Sequence, residues 1–167
     1  MSAPQKILDL VELFERNAET YHGPHYNEAG VRQEFINPFF KSLGWDMDNE
    51  KKYDEAHKEV IHEAAIKIGG VTKAPDYCFR IGGTREFFVE AKKPAVNIEA
   101  DPASAYQLRR YAWNAKLPVS ILTNFQEFAA YDCRIKPDVS DEASSGRVPL
   151  QNHLQKKSAA TGDDGHS

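Results

Sequence analysis

Only two cysteines occur among the 167 residues, Cys78 and Cys133, far apart and without a metal-spaced partner. That excludes a disulfide-stapled secreted scaffold, and it predicts two buried free thiols in a reducing compartment. No apolar run approaches the roughly 20 residues that cross a bilayer. The opening "MSAPQKILDLVELFERN" lacks the basic start and apolar block of a secretion signal, so the expected location is cytoplasmic and off the membrane. There is no internal repeat, no P-loop, no dinucleotide glycine motif and no Ser/His/Asp order. A positive excess is missing too. The net charge of −4 argues against a broadly basic surface. Residues 27–136 nevertheless hold 16 Lys+Arg and 16 Asp+Glu. The surplus acid lies in the flanks, and a local basic patch is allowed.

What is present is a soluble globular composition, 41% apolar and 28% charged, long enough for one domain with a normal core. Leu8, Val11, Leu13 and Phe14 predict an amphipathic helix over 4–21. "HGPHYN" breaks it. Asn27 caps a second helix, whose stripe of Val31, Phe35, Ile36, Phe39, Phe40 and Leu43 packs on a core. Pro38 should loosen that helix and Gly44 should end it. "EVIHEAAIKI" reads as a weak strand. A helix is expected over 103–115, with Asp101 as its cap, and "LPVSILTN" and "EFAAYDCRI" as strands. After Pro137 the apolar content collapses, which predicts a linker or disordered tail over 137–167. The order ααβββαββ is that of an α/β sheet with helices on its faces. Residues 1–26 would form a helix packed on a domain over 27–136.

The informative stretch is "KAPDYCFRIGGTREFFVEAKKP", Lys73 to Pro94. A three-residue loop, Gly82-Gly83-Thr84, would pair Ile81 with Arg85 and set Asp76 opposite Glu90. Directly opposed residues share a face with Cβ atoms roughly 4.5–5.5 Å apart. Lys92, two residues beyond Glu90, shares that face. Two facing carboxylates repel unless a cation offsets them. Oxygen-only ligands suit Mg²⁺, with Mn²⁺ possible, over zinc. An ammonium beside the ion could orient water or stabilise charge at phosphorus. An ordinary surface hairpin with a salt bridge is the alternative. Phe87, Phe88 and Val89 make the second run a buried strand, where a charged pair needs a purpose.

These residues resemble the PD-(D/E)XK nuclease superfamily, in "PDY" at 75–77 and "VEAK" at 89–92. More closely, the chain resembles the N-terminal nuclease domain of type I restriction enzyme R subunits, and equally that of fused type IIG restriction–modification proteins. "NEAGVRQEFINPFFKSLGWD" resembles the family's opening helix ending in "LGW". "QLRRY", Gln107 to Tyr111, resembles its Q-x-x-x-Y motif, and "LPVSILTNFQEFAAYD" its closing strands. The resemblance implies a restriction-endonuclease-like three-layer α/β/α core with a mixed central sheet, preceded by N-terminal helices. It implies a Mg²⁺-dependent DNA endonuclease domain that hydrolyses phosphodiesters with a metal-activated water.

In that reading Asp76 and Glu90 bind the ion, the Ala91 carbonyl is an extra ligand, and Lys92 is the catalytic amine. Gln107 supports the site. A helical Glu completes it in many members, and Glu28 and Glu34 compete for the role. Glu28 is preferred because its spacing to Val31 and Phe35 turns it inward; its ordinary role is that of an acid at a helix N-terminus. Lys93, Arg109, Arg110 and Tyr111 are candidate contacts to double-stranded DNA. His22, His25 and Glu28 have a loose zinc-like spacing, but "GP" between the histidines forbids a continuous helix; His57 and His62 are expected at the surface. Family members continue into a helicase-like motor or a methyltransferase with a recognition region. No motif of either is present here. The alternative is therefore a truncated or detached non-catalytic DNA-binding or scaffold module that works with a methyltransferase, specificity or helicase-like polypeptide.

Overall fold

The computed structural model describes residues 4–149. Three helices open the chain: α1 (Gln5–Arg16), α2 (Ala18–Tyr21) and α3 (Glu28–Val31). A π-helical turn (Arg32–Ile36) joins α3 to α4 (Asn37–Ser42). Then come β1 (Val60–His62), β2 (Ile66–Ile68), β3 (Val71–Lys73), β4 (Tyr77–Ile81) and β5 (Thr84–Ala91). A short 3-10 turn leads into α5 (Pro102–Asn114), followed by β6 (Val119–Thr123) and β7 (Phe128–Asp132). The central sheet runs β1-β4-β5-β6-β7. Among the described strands only β5 and β6 are parallel neighbours, and α5 is the crossover that such a pair requires. β2 and β3 form a separate hairpin.

Strand alternation divides the core. Cys78, Phe88, Leu122 and Tyr131 face α5 and meet its Leu108, Tyr111 and Ala112. Tyr77, Phe79, Val89 and Ala91 face the other way and meet Phe14, Val31, Phe35 and Phe40 from the opening helices. A mixed five-stranded sheet therefore lies between two helical layers, the restriction-endonuclease-like α/β architecture expected. Both thiols are buried and free. Burial pushes Cys133 up to about 11, so it is an inert thiol at neutral pH.

Several elements depart from expectation for physical reasons. The first helix breaks at Asn17, and its inward residues are Leu10, Phe14 and Tyr21; Leu8, Val11 and Leu13 are exposed. Asn27 does cap the second helix, accepting from the Gly30 amide at 2.9 Å. Pro38 has no amide to return to the preceding turn, and the wide π turn lies directly before it. The weak strand is two strands, because Glu63 takes a positive φ of 53° after β1, and Gly69-Gly70 then turns β2 back onto β3.

The predicted linker is also partly folded. Asp132 N donates to Gly146 O at 2.7 Å and Val148 N to Ala130 O at 2.7 Å, so residues 137–149 cover the outer edge of β7. This segment is held by backbone bonds, the buried Ala143 and an ion pair rather than by an apolar run, which is why composition misplaced the boundary. The remainder of the expected tail, 150–167, lies outside the described residues.

Candidate active site

The β4–β5 hairpin builds the site from its turn inward. Gly82 and Gly83 are the whole loop, with φ of 58° and 82°, and Ile81 pairs with Thr84. The expected three-residue loop is thus corrected to a two-residue one of type I′. A bulge at Glu86 then adds one residue to β5. Arg80 faces Arg85, but Phe79 faces Phe87 and Tyr77 faces Val89. One more step along that register sets Asp76 against Glu90, as the sequence pattern required. The expected outcome survives because two local departures cancel.

The two carboxylates are locked by reciprocal bonds. The Asp76 amide donates to Glu90 Oε1 at 2.8 Å, and the Ala91 amide donates to Asp76 Oδ2 at 2.8 Å. Each acid therefore has one oxygen fixed by backbone and one left over. Glu90 is pushed up to about 7, first by burial and next by the Asp76 charge. Lys92 is close enough to oppose that shift. Its backbone is pinned by the bond from Lys92 N to Thr123 O at 2.8 Å, and its ammonium is in no ion pair among the described residues. The trio stands at the carboxyl end of the parallel pair β5/β6, where open α/β sheets place their ligands.

Arg32 was missed by sequence reasoning and belongs here. From the π turn, its Nη1 reaches Asp76 Oδ1 at 3.6 Å and its Nη2 reaches the Asp76 carbonyl at 3.4 Å. Its guanidinium stacks over Tyr77 at 4.9 Å, and Tyr77 is anchored by its own bond to Asn37 Oδ1 at 2.6 Å. The available signal was an arginine between Val31 and Phe35, on a helix whose apolar stripe faces the sheet. The structure does not gather Glu28 or Glu34, the candidates for a third acid, with Asp76 and Glu90. Both are exposed, and Glu34 instead accepts from Tyr26. Glu28 is the first residue of α3, and the π turn that follows widens its spacing to Phe35.

The donor set suits a hard cation. Asp76 Oδ1 and the unbonded oxygen of Glu90 are oxygen donors beside a backbone carbonyl at Ala91, and Glu90 is raised first by its burial and next by the Asp76 charge. Among the described residues, no group of three or more His, Cys, Asp or Glu gathers to hold an ion. Asp76, Glu90 and backbone oxygen are the donors an ion would have here, all of the hard oxygen kind.

Helix α5 sorts the remaining candidates. Gln107 is exposed and donates to the hydroxyl of the buried Tyr111, which packs near Cys78 and Phe88 behind the site. Tyr111 is therefore a support and not a DNA-facing group. Arg109 is corrected as well: it is 4% exposed and paired with Asp141 at 2.7 Å, so its charge holds the 137–149 segment. Arg110 is exposed, and Lys93 is half-buried beside the buried Pro94.

The family described as type I restriction enzyme R protein N terminus matches residues 56–139. The chain belongs to that family. The matched span holds every strand and α5, and with them Asp76, Glu90, Lys92 and Gln107; Arg32 and Glu28 lie outside it. The chain is also 36% identical over 157 residues to the type II restriction enzyme and methyltransferase RM.Eco57I of Escherichia coli. That alignment covers 93% of this chain and 16% of the relative. No solved structure matches significantly. Among the described residues, no helix is long and apolar enough to cross a membrane.

Proposed function

We propose that this chain is the divalent-cation-dependent DNA endonuclease domain of a restriction–modification system, acting on double-stranded DNA in the cytoplasm. The observation that supports it most is the reciprocal Asp76–Glu90 lock, with Lys92, unpaired among the described residues, two positions along the same strand face. Asp76, Glu90 and the Ala91 carbonyl would hold Mg²⁺ or Mn²⁺. Such an ion supplies Lewis-acid activation of phosphate and water when bound. Lys92 holds a proton and positive charge beside the scissile phosphate, where negative charge develops. The backbone bonds to Asp76 and Glu90 fix both carboxylates before substrate arrives, so little reorganisation is needed. Gln107, tied to Tyr111, stands on the neighbouring helix as a positioning residue. RM.Eco57I joins a restriction enzyme to a methyltransferase by name, and we infer a methyltransferase as this domain's functional partner. A specificity or helicase-like polypeptide would serve the type I arrangement.

The test is cleavage of supercoiled plasmid with Mg²⁺ or Mn²⁺. Nicked or linear product that vanishes in Asp76→Ala and Lys92→Ala supports the reading. Absence of cleavage with every divalent metal, DNA form and added methyltransferase or helicase-like partner, while DNA binding persists, sinks it in favour of a binding module.

A further inference from the structure

The outer side of α5 carries a second feature, which meets the candidate active site only at Gln107 and Tyr111. Three neighbouring depressions, of about 430, 280 and 500 Å³, run along the helix and share walls. The first lies between α5 and the β2–β3 hairpin and includes Lys73. Tyr106 and Arg110 line both it and the second, which adds Lys136. Trp113 lines both the second and the third, which adds Lys116. Among the described residues, no Asp or Glu lines any of the three. Lys73, Arg110, Lys116 and Lys136 are exposed and in no ion pair among the described residues, while Arg134 at the far end is paired with Asp132 at 2.7 Å. Tyr106, Arg110 and Trp113 fall at i, i+4 and i+7, hence on one face of α5. Trp113 is 38% exposed, an uncommon cost for a large apolar ring.

In a chain of net charge −4, a furrow free of acids with two aromatics between unpaired cations selects a polyanion with flat faces. We propose that this furrow binds a nucleic-acid strand with unpaired bases: phosphates on Arg110, Lys136 and Lys73, bases stacked on Trp113 and Tyr106. Lys73 stands three residues before Asp76, so the strand would run from the catalytic hairpin along α5. The inference rests on the nuclease reading for the origin of that strand, as DNA opened at or beside the cut. Its binding test does not.

Fluorescence anisotropy with a labelled oligonucleotide, in the full chain carrying Asp76→Ala, reads binding without cleavage. The single strand is expected to bind more tightly than its duplex. Trp113→Ala should weaken it about tenfold, and Trp113→Phe should keep most of the affinity. Arg110→Ala with Lys136→Ala should lower the log–log salt slope by about 1.4, at ~0.7 per phosphate contact on a single strand. Quenching of tryptophan emission on adding the strand, lost in Trp113→Phe, reads stacking in an otherwise intact chain. Affinity and slope unchanged in these variants, or duplex preferred with no Trp113 response, would overturn the proposal. The expected binding together with no cleavage by the unsubstituted protein would leave the furrow standing and remove the nuclease. Cleavage with an inert furrow would do the reverse.

Discussion

Arg32 Nη1 lies 3.6 Å from Asp76 Oδ1, the same oxygen that the backbone leaves free for a cation. The guanidinium therefore supplies part of the positive charge that Asp76 needs when no ion is bound. Arg32→Leu should destabilise the metal-free protein by about 1–2 kcal/mol, the scale of a charged hydrogen bond. Saturating Mg²⁺ should shrink that loss, because the ion takes over as counter-charge. Urea unfolding with EDTA and with Mg²⁺ checks both halves; a loss that is the same in each would remove Arg32 from the site.

The raised Glu90 gives a pH dependence with a definite sign. Its carboxyl titrates near 7 in the folded protein and near the ordinary Glu value in the unfolded chain. Between those values the folded state binds more protons, so metal-free stability falls as pH rises from about 4.5 to 7 and then levels. Glu90→Gln should flatten that stretch. Cation binding needs the ionised carboxylate, so Mg²⁺ affinity should climb over the same window. Unfolding at pH 5 and pH 8 in EDTA, with Mg²⁺ calorimetry alongside, measures the two slopes.

Arg109 and Arg110 are neighbours with opposite tasks. Arg109→Ala removes a side chain that is 4% exposed and frees the 137–149 segment, at a cost of about 2–3 kcal/mol. Arg110→Ala should change stability by less than about 0.5 kcal/mol, as at ordinary surface sites. Thermal unfolding of the two single variants decides this directly, and amide exchange at Val148 should speed up only in the first.

The hairpin turn predicts a graded pair of substitutions. At Gly82, φ is 58° and nothing lies near an added Cβ. At Gly83, φ is 82° and an added Cβ would stand 2.6 Å from the Ala56 carbonyl oxygen. Gly82→Ala should cost about 1 kcal/mol from the backbone alone, and Gly83→Ala clearly more, since backbone has to give way. Equal midpoints for the two in urea would contradict the close approach.

Much of this was legible because hairpins advertise themselves. Glycine pairs mark the reversals, and a period of two carries Glu90 and Lys92 to one face; Asp76 joins them because the bulge at Glu86 offsets the shorter turn. Helical facing proved harder to read. The spacing from Glu28 to Phe35 assumes 3.6 residues per turn, and the π turn at Arg32–Ile36 is wider, so the approach of Arg32 to Asp76 could not be read from periodicity. Arg109 could not be told from Arg110 by periodicity, because what buries it arrives from residues 137–149, held by bonds that leave no compositional trace.

The bulge at Glu86 has a further consequence. Along a strand, position is a matter of odd and even, and every single-residue shift of register exchanges the two faces. The two-residue turn has the wrong parity for Asp76 and Glu90, and the bulging of Glu86 restores it. Deleting Glu86 would therefore remove the surplus without breaking the match: Arg80 would still face Arg85, Phe79 would still face Phe87, and Asp76 would still meet Glu90, now in an unbroken ladder. An extra residue elsewhere in either strand has no such outlet, and would exchange the two faces beyond it. One half-buried residue near the turn, remote from any reacting atom, is thus the slack that lets a two-residue turn and the paired acids share one hairpin.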